Sequence, residues 1–181
     1  MGSRLLHLVF LVFAALVGPL PAWGAEIVDL IPVVKGNALE VSFGLSDAFG
    51  EEVERAVASG LPVSFRFTVQ LKKVRTLWLN QKVATQTIRT TVTYDNLTER
   101  YRVSKEIGDE IVATEVFSDP EAMRRFMVTM ESLQLFDTSL LEPNGEYYLR
   151  VKGVVRDRNL FLLIPWDVGS GWMKAYFTYL P

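Results

Sequence analysis

Between Val63 and Leu71 the chain alternates strictly. Val63, Phe65, Phe67, Val69 and Leu71 are apolar, while Ser64, Arg66, Thr68 and Gln70 are polar. Successive strand side chains point to opposite faces, so this pattern predicts a strand with one buried side. A second long strand is predicted over Val83–Tyr94, with Ala84, Ile88, Val92 and Tyr94 on one face. Thr85, Thr87, Arg89, Thr91 and Thr93 lie on the other, a composition suited to a wetted pleated surface. The link between the two, Lys72–Lys82, is basic and carries Leu77, Trp78 and Leu79.

The same reading extends to both ends. Ile27–Val34 is an apolar strand interrupted by Pro32, which places it at a sheet edge because proline cannot donate to a ladder. Leu39, Val41, Phe43 and Leu45 alternate as a second strand. Ser46 or Asp47 is then expected to cap a helix presenting Phe49, Val53, Ala56 and Val57, ended by Gly60 and Pro62. Further strands are expected at Thr98–Lys105, Ile111–Phe117, Tyr147–Val155 and Leu160–Ile164. Ser118 and Glu121 have capping-box spacing, and Ala122, Met123, Phe126, Met127, Met130 and Leu133 follow along one helical face. Trp166, Trp172, Tyr176, Phe177 and Tyr179 are read as aromatic residues sealing an end of the core. Strands linked by short turns outnumber helices. The expected fold is α+β and mainly β: an antiparallel sheet or β-sandwich of about eight strands with two packed helices.

Composition adds an address and several exclusions. Arg4 is the only formal charge before Glu26, Leu8–Val17 is unbroken and apolar, and small or turn-prone residues follow through Ala25. That order describes a secretory signal peptide over residues 1–24, with cleavage after Gly24; an uncleaved inner-membrane anchor is the alternative. The expectation is a periplasmic protein with one domain over residues 25–181. Beyond residue 24, 18 basic side chains face 21 acidic ones, and this balance gives no reason to expect nucleic acid. The chain has no cysteine, so no disulfide staples it.

The single histidine, His7, falls in the signal segment. Ser-His-Asp and Cys-His nucleophiles are thereby excluded from the secreted part, as is ordinary zinc, copper or haem ligation. No phosphate loop or dinucleotide fingerprint occurs, and no cofactor or metal is expected. Carboxylate chemistry survives: a glycan hydrolase would need a facing pair, with Asp95, Asp167 and Glu115 as isolated candidates. Asp95 and Asp167 are more simply turn or loop residues, and Glu115 a solvated strand residue.

The positive candidate is a contact surface for an envelope protein or membrane surface, formed by Lys72, Lys73, Arg75, Trp78 and Lys82. The competing reading folds Trp78 back as a lid over the sheet. A carrier of an apolar ligand, with a cavity lined by Phe126 and Met130, is a further alternative.

Trp78, the segment Tyr94-Asp95-Asn96-Leu97-Thr98-Glu99-Arg100-Tyr101-Arg102-Val103, Tyr148–Val151 and the closing Ser170-Gly171-Trp172 carry a resemblance. The chain resembles a bacterial secreted family catalogued as domain of unknown function 4390, over essentially the whole secreted part. Tyr94, Asp95, Leu97, Thr98, Tyr101 and Trp172 are the motif residues. The resemblance implies an envelope location, no established enzyme activity and no catalytic residues to carry over. An association of its members with membrane sensor kinases adds the expectation of a link to membrane signalling. The expected function is a non-enzymatic binding or interaction module.

Overall fold

The computed structural model describes residues 24–75, 80–156 and 169–180. The alternating stretch forms β3 (Val63–Lys73), whose apolar face of Val63, Phe65, Phe67, Val69 and Leu71 is wholly buried. It pairs antiparallel with β4 (Gln81–Asp95) on one side and with β8 (Glu146–Arg156) on the other. β5 (Arg100–Ile107), β6 (Glu110–Phe117) and β9 (Met173–Thr178) complete a six-stranded sheet in the order β6-β5-β4-β3-β8-β9. A three-stranded sheet, β1-β2-β7, comprises β1 (Glu26–Lys35), β2 (Ala38–Ser46) and β7 (Thr129–Asp137). β1 is an edge strand, as Pro32 requires. The fold is therefore α+β and mainly β, with two antiparallel sheets and two α-helices among the described residues.

The core lies between the sheets. Phe43 of β2 meets Phe67 of β3 edge to face at 5.3 Å, and β1 packs along β8 and β9. Opposite Phe67 stands Gly153 of β8. A Cβ there would lie 3.1 Å from Leu45 Cδ1 and 3.3 Å from the Phe67 ring, so the missing side chain lets the sheets close. The helices cover the rest of the same face. α1 (Glu51–Ala58) packs on β3 and β4, and α2 (Pro120–Val128) on β4, β5 and β6. Each helix is a crossover between the sheets, α1 leading from β2 to β3 and α2 from β6 to β7. Arg124 ties them together through Glu54 at 2.8 Å.

Local chemistry shifts several expected boundaries. Ser46 remains in β2, and Asp47 turns the chain with φ 51°, so α1 starts at Glu51 behind Gly50 with no side-chain cap. Glu51, Glu52 and Glu54 in its first turn complement the helix dipole instead. α2 is capped by Asp119 rather than Ser118: its carboxylate accepts from the Glu121 and Ala122 amides at 3.3 and 3.0 Å, and Pro120 takes the first helical position. The methionine stripe also divides. Met123 and Met127 are helical, but Thr129 turns extended, so Met130 and Leu133 belong to β7, with Met130 paired to Phe43. Spacing along one face does not separate these outcomes; the open edge of β2 does, by offering backbone partners.

The last turn of α2 is held by two sheet side chains. Thr90 is fully buried on the inner face of β4 and donates its hydroxyl to the Met127 carbonyl at 3.0 Å. Lys105 of β5 donates to the Thr129 carbonyl at 3.2 Å, and its ammonium lies 4.4 Å from the Phe126 ring centroid. Carbonyls that a helix end leaves orphaned are thus satisfied by the sheet, with the cation at the favourable end of the dipole. Burial pushes the Lys105 ammonium below its ordinary value, against an opposing pull from Glu131.

Candidate functional site

One face of the six-stranded sheet packs on β1, β2, β7 and both helices; the other carries the polar partners of each alternation. Its middle rows are Ser and Thr: Ser64 opposite Thr91, and Thr68 opposite Thr87. The Ser64 and Thr91 hydroxyls share a hydrogen bond of 2.8 Å. Basic side chains occupy the surrounding rows. The register sets Arg66 directly across from Arg89, Lys72 across from Lys82, and Arg150 across from Lys174. Lys152 lies between the first and last of these pairs on β8, and Arg102 continues the face on β5. Like charges directly opposite each other on a sheet repel and cost stability. Three such pairs on one face of a chain whose formal net charge is −2 mark a surface held basic at a cost in stability.

Local partners soften the repulsion. Arg89 pairs with Glu106 at 3.0 Å. Arg150 donates to the Gln70 side-chain carbonyl at 2.8 Å and lies 4.1 Å from the Trp172 ring centroid. The aromatic residues of the C-terminal stretch divide by parity. Phe177 points inward, stacked on buried Tyr147 at 5.8 Å. Tyr176 points outward beside Tyr148 at 5.2 Å and is 67% exposed, and Trp172 is 39% exposed. Core sealing therefore describes Phe177 but not Tyr176 or Trp172. β9 presents Lys174 and Tyr176, with Trp172 just ahead of its first residue, next to Arg150 and Tyr148 of β8, a platform of aromatic rings and cations.

The basic link predicted from the sequence is redistributed. β3 runs through Lys73 and β4 begins at Gln81, so Lys72, Lys73 and Lys82 are strand residues. Lys72 and Lys82 join the basic face. Lys73 has the opposite parity and makes a salt bridge to Glu142, which holds that carboxyl below its ordinary value. Arg75 is exposed and donates to the Gln81 side chain. Trp78, with Leu77 and Leu79, lies outside the described residues, as do Asp167, Trp166 and the strand expected at Leu160–Ile164.

The motif segment builds a turn. Tyr94 and Tyr101 pair across β4 and β5 with ring centroids 4.7 Å apart. Asp95 accepts from the Leu97 and Thr98 amides at 2.9 and 3.3 Å, and these bonds hold its carboxyl below the ordinary range. Leu97 stands at the tip, 96% exposed. Asp95 is thus committed to backbone donors, and Glu115 is exposed on β6. Among the described residues no group of three or more Asp, Glu, His or Cys side chains could hold a metal ion. Met130 and Phe126 have different surroundings. Met130 borders a shallow pocket of about 300 Å³ with Val28, Ile31 and Phe43, whereas Phe126 is packed against Phe117 at 5.3 Å.

The paired like charges were not foreseen from sequence. The residues that form them are 23–24 positions apart in two cases, and only strand register places them face to face.

A family model described as a domain of unknown function (DUF4390) matches residues 22–174. No curated protein and no solved structure matches the chain.

Proposed function

The chain belongs to the DUF4390 family, and we propose that it works as a non-catalytic binding module of the bacterial envelope, whose basic sheet face docks an anionic partner. One observation carries this reading: the cross-strand pairs Arg66/Arg89, Lys72/Lys82 and Arg150/Lys174 concentrate repelling cations on one face of an acidic chain. A face kept only for solubility would interleave signs, since opposite charges across a ladder stabilise it. The envelope assignment rests on the basic, apolar and small-residue order of the first 24 residues. The absence of His and Cys from the rest of the chain supports a non-catalytic role.

The test uses the cost of the face against its use. Lys174→Glu converts the Arg150/Lys174 pair into an opposite-charge pair, and stability is expected to rise by roughly 0.2–1 kcal/mol. A photoreactive residue at Lys152 in living cells is expected to capture a partner in the natural chain, and the capture is expected to collapse with Lys174→Glu and Lys82→Glu. Raising salt on the purified complex is expected to weaken it, since the surface charges are screened within about 8 Å at physiological ionic strength. Capture that survives both reversals unchanged would refute the basic face as the docking site.

A further inference from the structure

β6 is the outermost strand of the six-stranded sheet, and among the described residues its free edge has no partner. Edge strands are normally guarded by Lys, Pro, brevity, a β-bulge or an inward-pointing charge, because unpaired N–H and C=O groups invite a further strand. β6 carries the last two: a register shift at Val112, between the pairs Lys105/Ala113 and Glu106/Ile111, and Glu115. β6 has eight residues, neither Lys nor Pro, and three exposed large apolar side chains: Ile111 at 62%, Val112 at 47% and Val116 at 51%. Its one inward-facing charge in mid-strand is Glu115, which lies opposite Val103.

We propose that this edge pairs with β6 of a second copy of the chain, antiparallel about a two-fold axis at Thr114, to give a continuous sheet with both basic faces on one side. Paired residues on neighbouring strands point the same way, so the outer faces stay together only if residues of like parity pair. Centring the axis at Glu115 would set that carboxylate against its own copy, a repelling pair. Centring it at Ala113 would set Val116 against Glu110. With Thr114 on the axis, Val116 comes opposite the other copy's Val112, the exposed residue at which the register of β6 shifts, and Glu115 meets the other copy's Ala113. Ala113 in turn pairs with Lys105, which makes no ion pair among the described residues. The second copy's Glu115 therefore lies in the row of Lys105 with Ala113 between them, roughly 9–10 Å away across two strand spacings, so the inward carboxylate feels a cation's field rather than a second carboxylate. The proposal stands independently of what the basic face binds. If the face does bind, the pair presents it twice and links the two binding events.

The chain has no cysteine, so a single introduced thiol reports one position without background. With the axis at Thr114, the two copies of residue 114 face each other with Cα atoms about 4.5–5.5 Å apart. Thr114→Cys in the purified protein, treated with a short bis-maleimide, is expected to give a covalent dimer. Asn37→Cys, at the exposed turn between β1 and β2, is expected to remain monomeric. Light scattering is expected to show a concentration-dependent dimer for the natural chain. The dimer should fall to monomer for Val116→Lys, with an unchanged circular dichroism spectrum. Glu115→Lys offers a second variant that sets like charges in the Lys105 row and is expected to weaken the dimer. A monomer at every concentration would overturn the proposal, as would equal crosslinking at positions 114 and 37. A dimer insensitive to both substitutions would place the contact elsewhere and overturn it too.

Discussion

Replacing Thr90 by valine changes almost nothing in volume and removes one hydroxyl. That hydroxyl is fully buried, and its hydrogen bond to the Met127 carbonyl, 3.0 Å long, closes the last turn of α2 against β4. Without it the carbonyl is left buried and unpaired, which costs about 1–3 kcal/mol. The added methyl recovers at most about 0.8 kcal/mol through extra apolar burial. The expected net loss is therefore about 1 kcal/mol and not more than about 2. At this chain length such a loss lowers the melting temperature by roughly 2–4 °C per kcal/mol. Thr93→Val is the matched control, because Thr93 lies on the opposite face of the same strand and is exposed; its effect is expected within about 0.5 kcal/mol of zero. Urea unfolding gives both values from the midpoint shift at constant slope. Hydrogen exchange localises the effect, with faster exchange expected for amides of α2 in Thr90→Val alone. Equal midpoints for the two variants would refute the view that Thr90 docks the helix through its hydroxyl.

Three further outcomes follow from the same geometry. Gly153→Val places a branched side chain where even a Cβ would lie 3.1 Å from Leu45 and 3.3 Å from Phe67, and should cost about 1–3 kcal/mol or more, read by denaturant unfolding or lost soluble yield. Stability should fall as acid protonates Glu142: the Lys73 hydrogen bond and charge hold its folded value below the ordinary glutamate value, so its contribution is present above that ordinary value and is lost as pH falls through the lowered one. Glu142→Gln should flatten this acid limb in a pH series of melting temperatures, and an unchanged limb would remove Glu142 from the account. Asp119→Ala should destabilise by about 0.5–2 kcal/mol while Ser118→Ala changes little, because only the former removes a cap from α2.

Much of the scaffold is legible one residue at a time. The period-two alternation of Val63–Leu71 requires one buried face whatever lies above it, and Pro32 requires an edge. Gly60, with φ 79°, ends α1 where the sequence puts it. The motif turn at Asp95 is local as well, its bonds spanning two and three residues. These features depend on neighbours in sequence and on backbone chemistry. The two-sheet division, by contrast, is not encoded in any single stretch. Met130 satisfies a helical stripe equally well, and it becomes a strand residue only because β2 has an edge to pair.

The candidate surface separates in the same way. The sequence marks Lys72, Lys73, Arg75 and Lys82 as one basic cluster because they are close along the chain. Strand parity sends Lys73 to Glu142 and leaves Lys72 opposite Lys82. Among five threonines at 85, 87, 90, 91 and 93, alternation already sets Thr90 apart on the face of Ile88 and Val92; the position of α2 decides what its hydroxyl bonds. What the sequence determined is thus which residues alternate, where turns fall, and that the chain has no cysteine and no histidine beyond His7. The tertiary structure decided which cations face each other, because repulsion across a ladder is a property of register between strands and not of order along one.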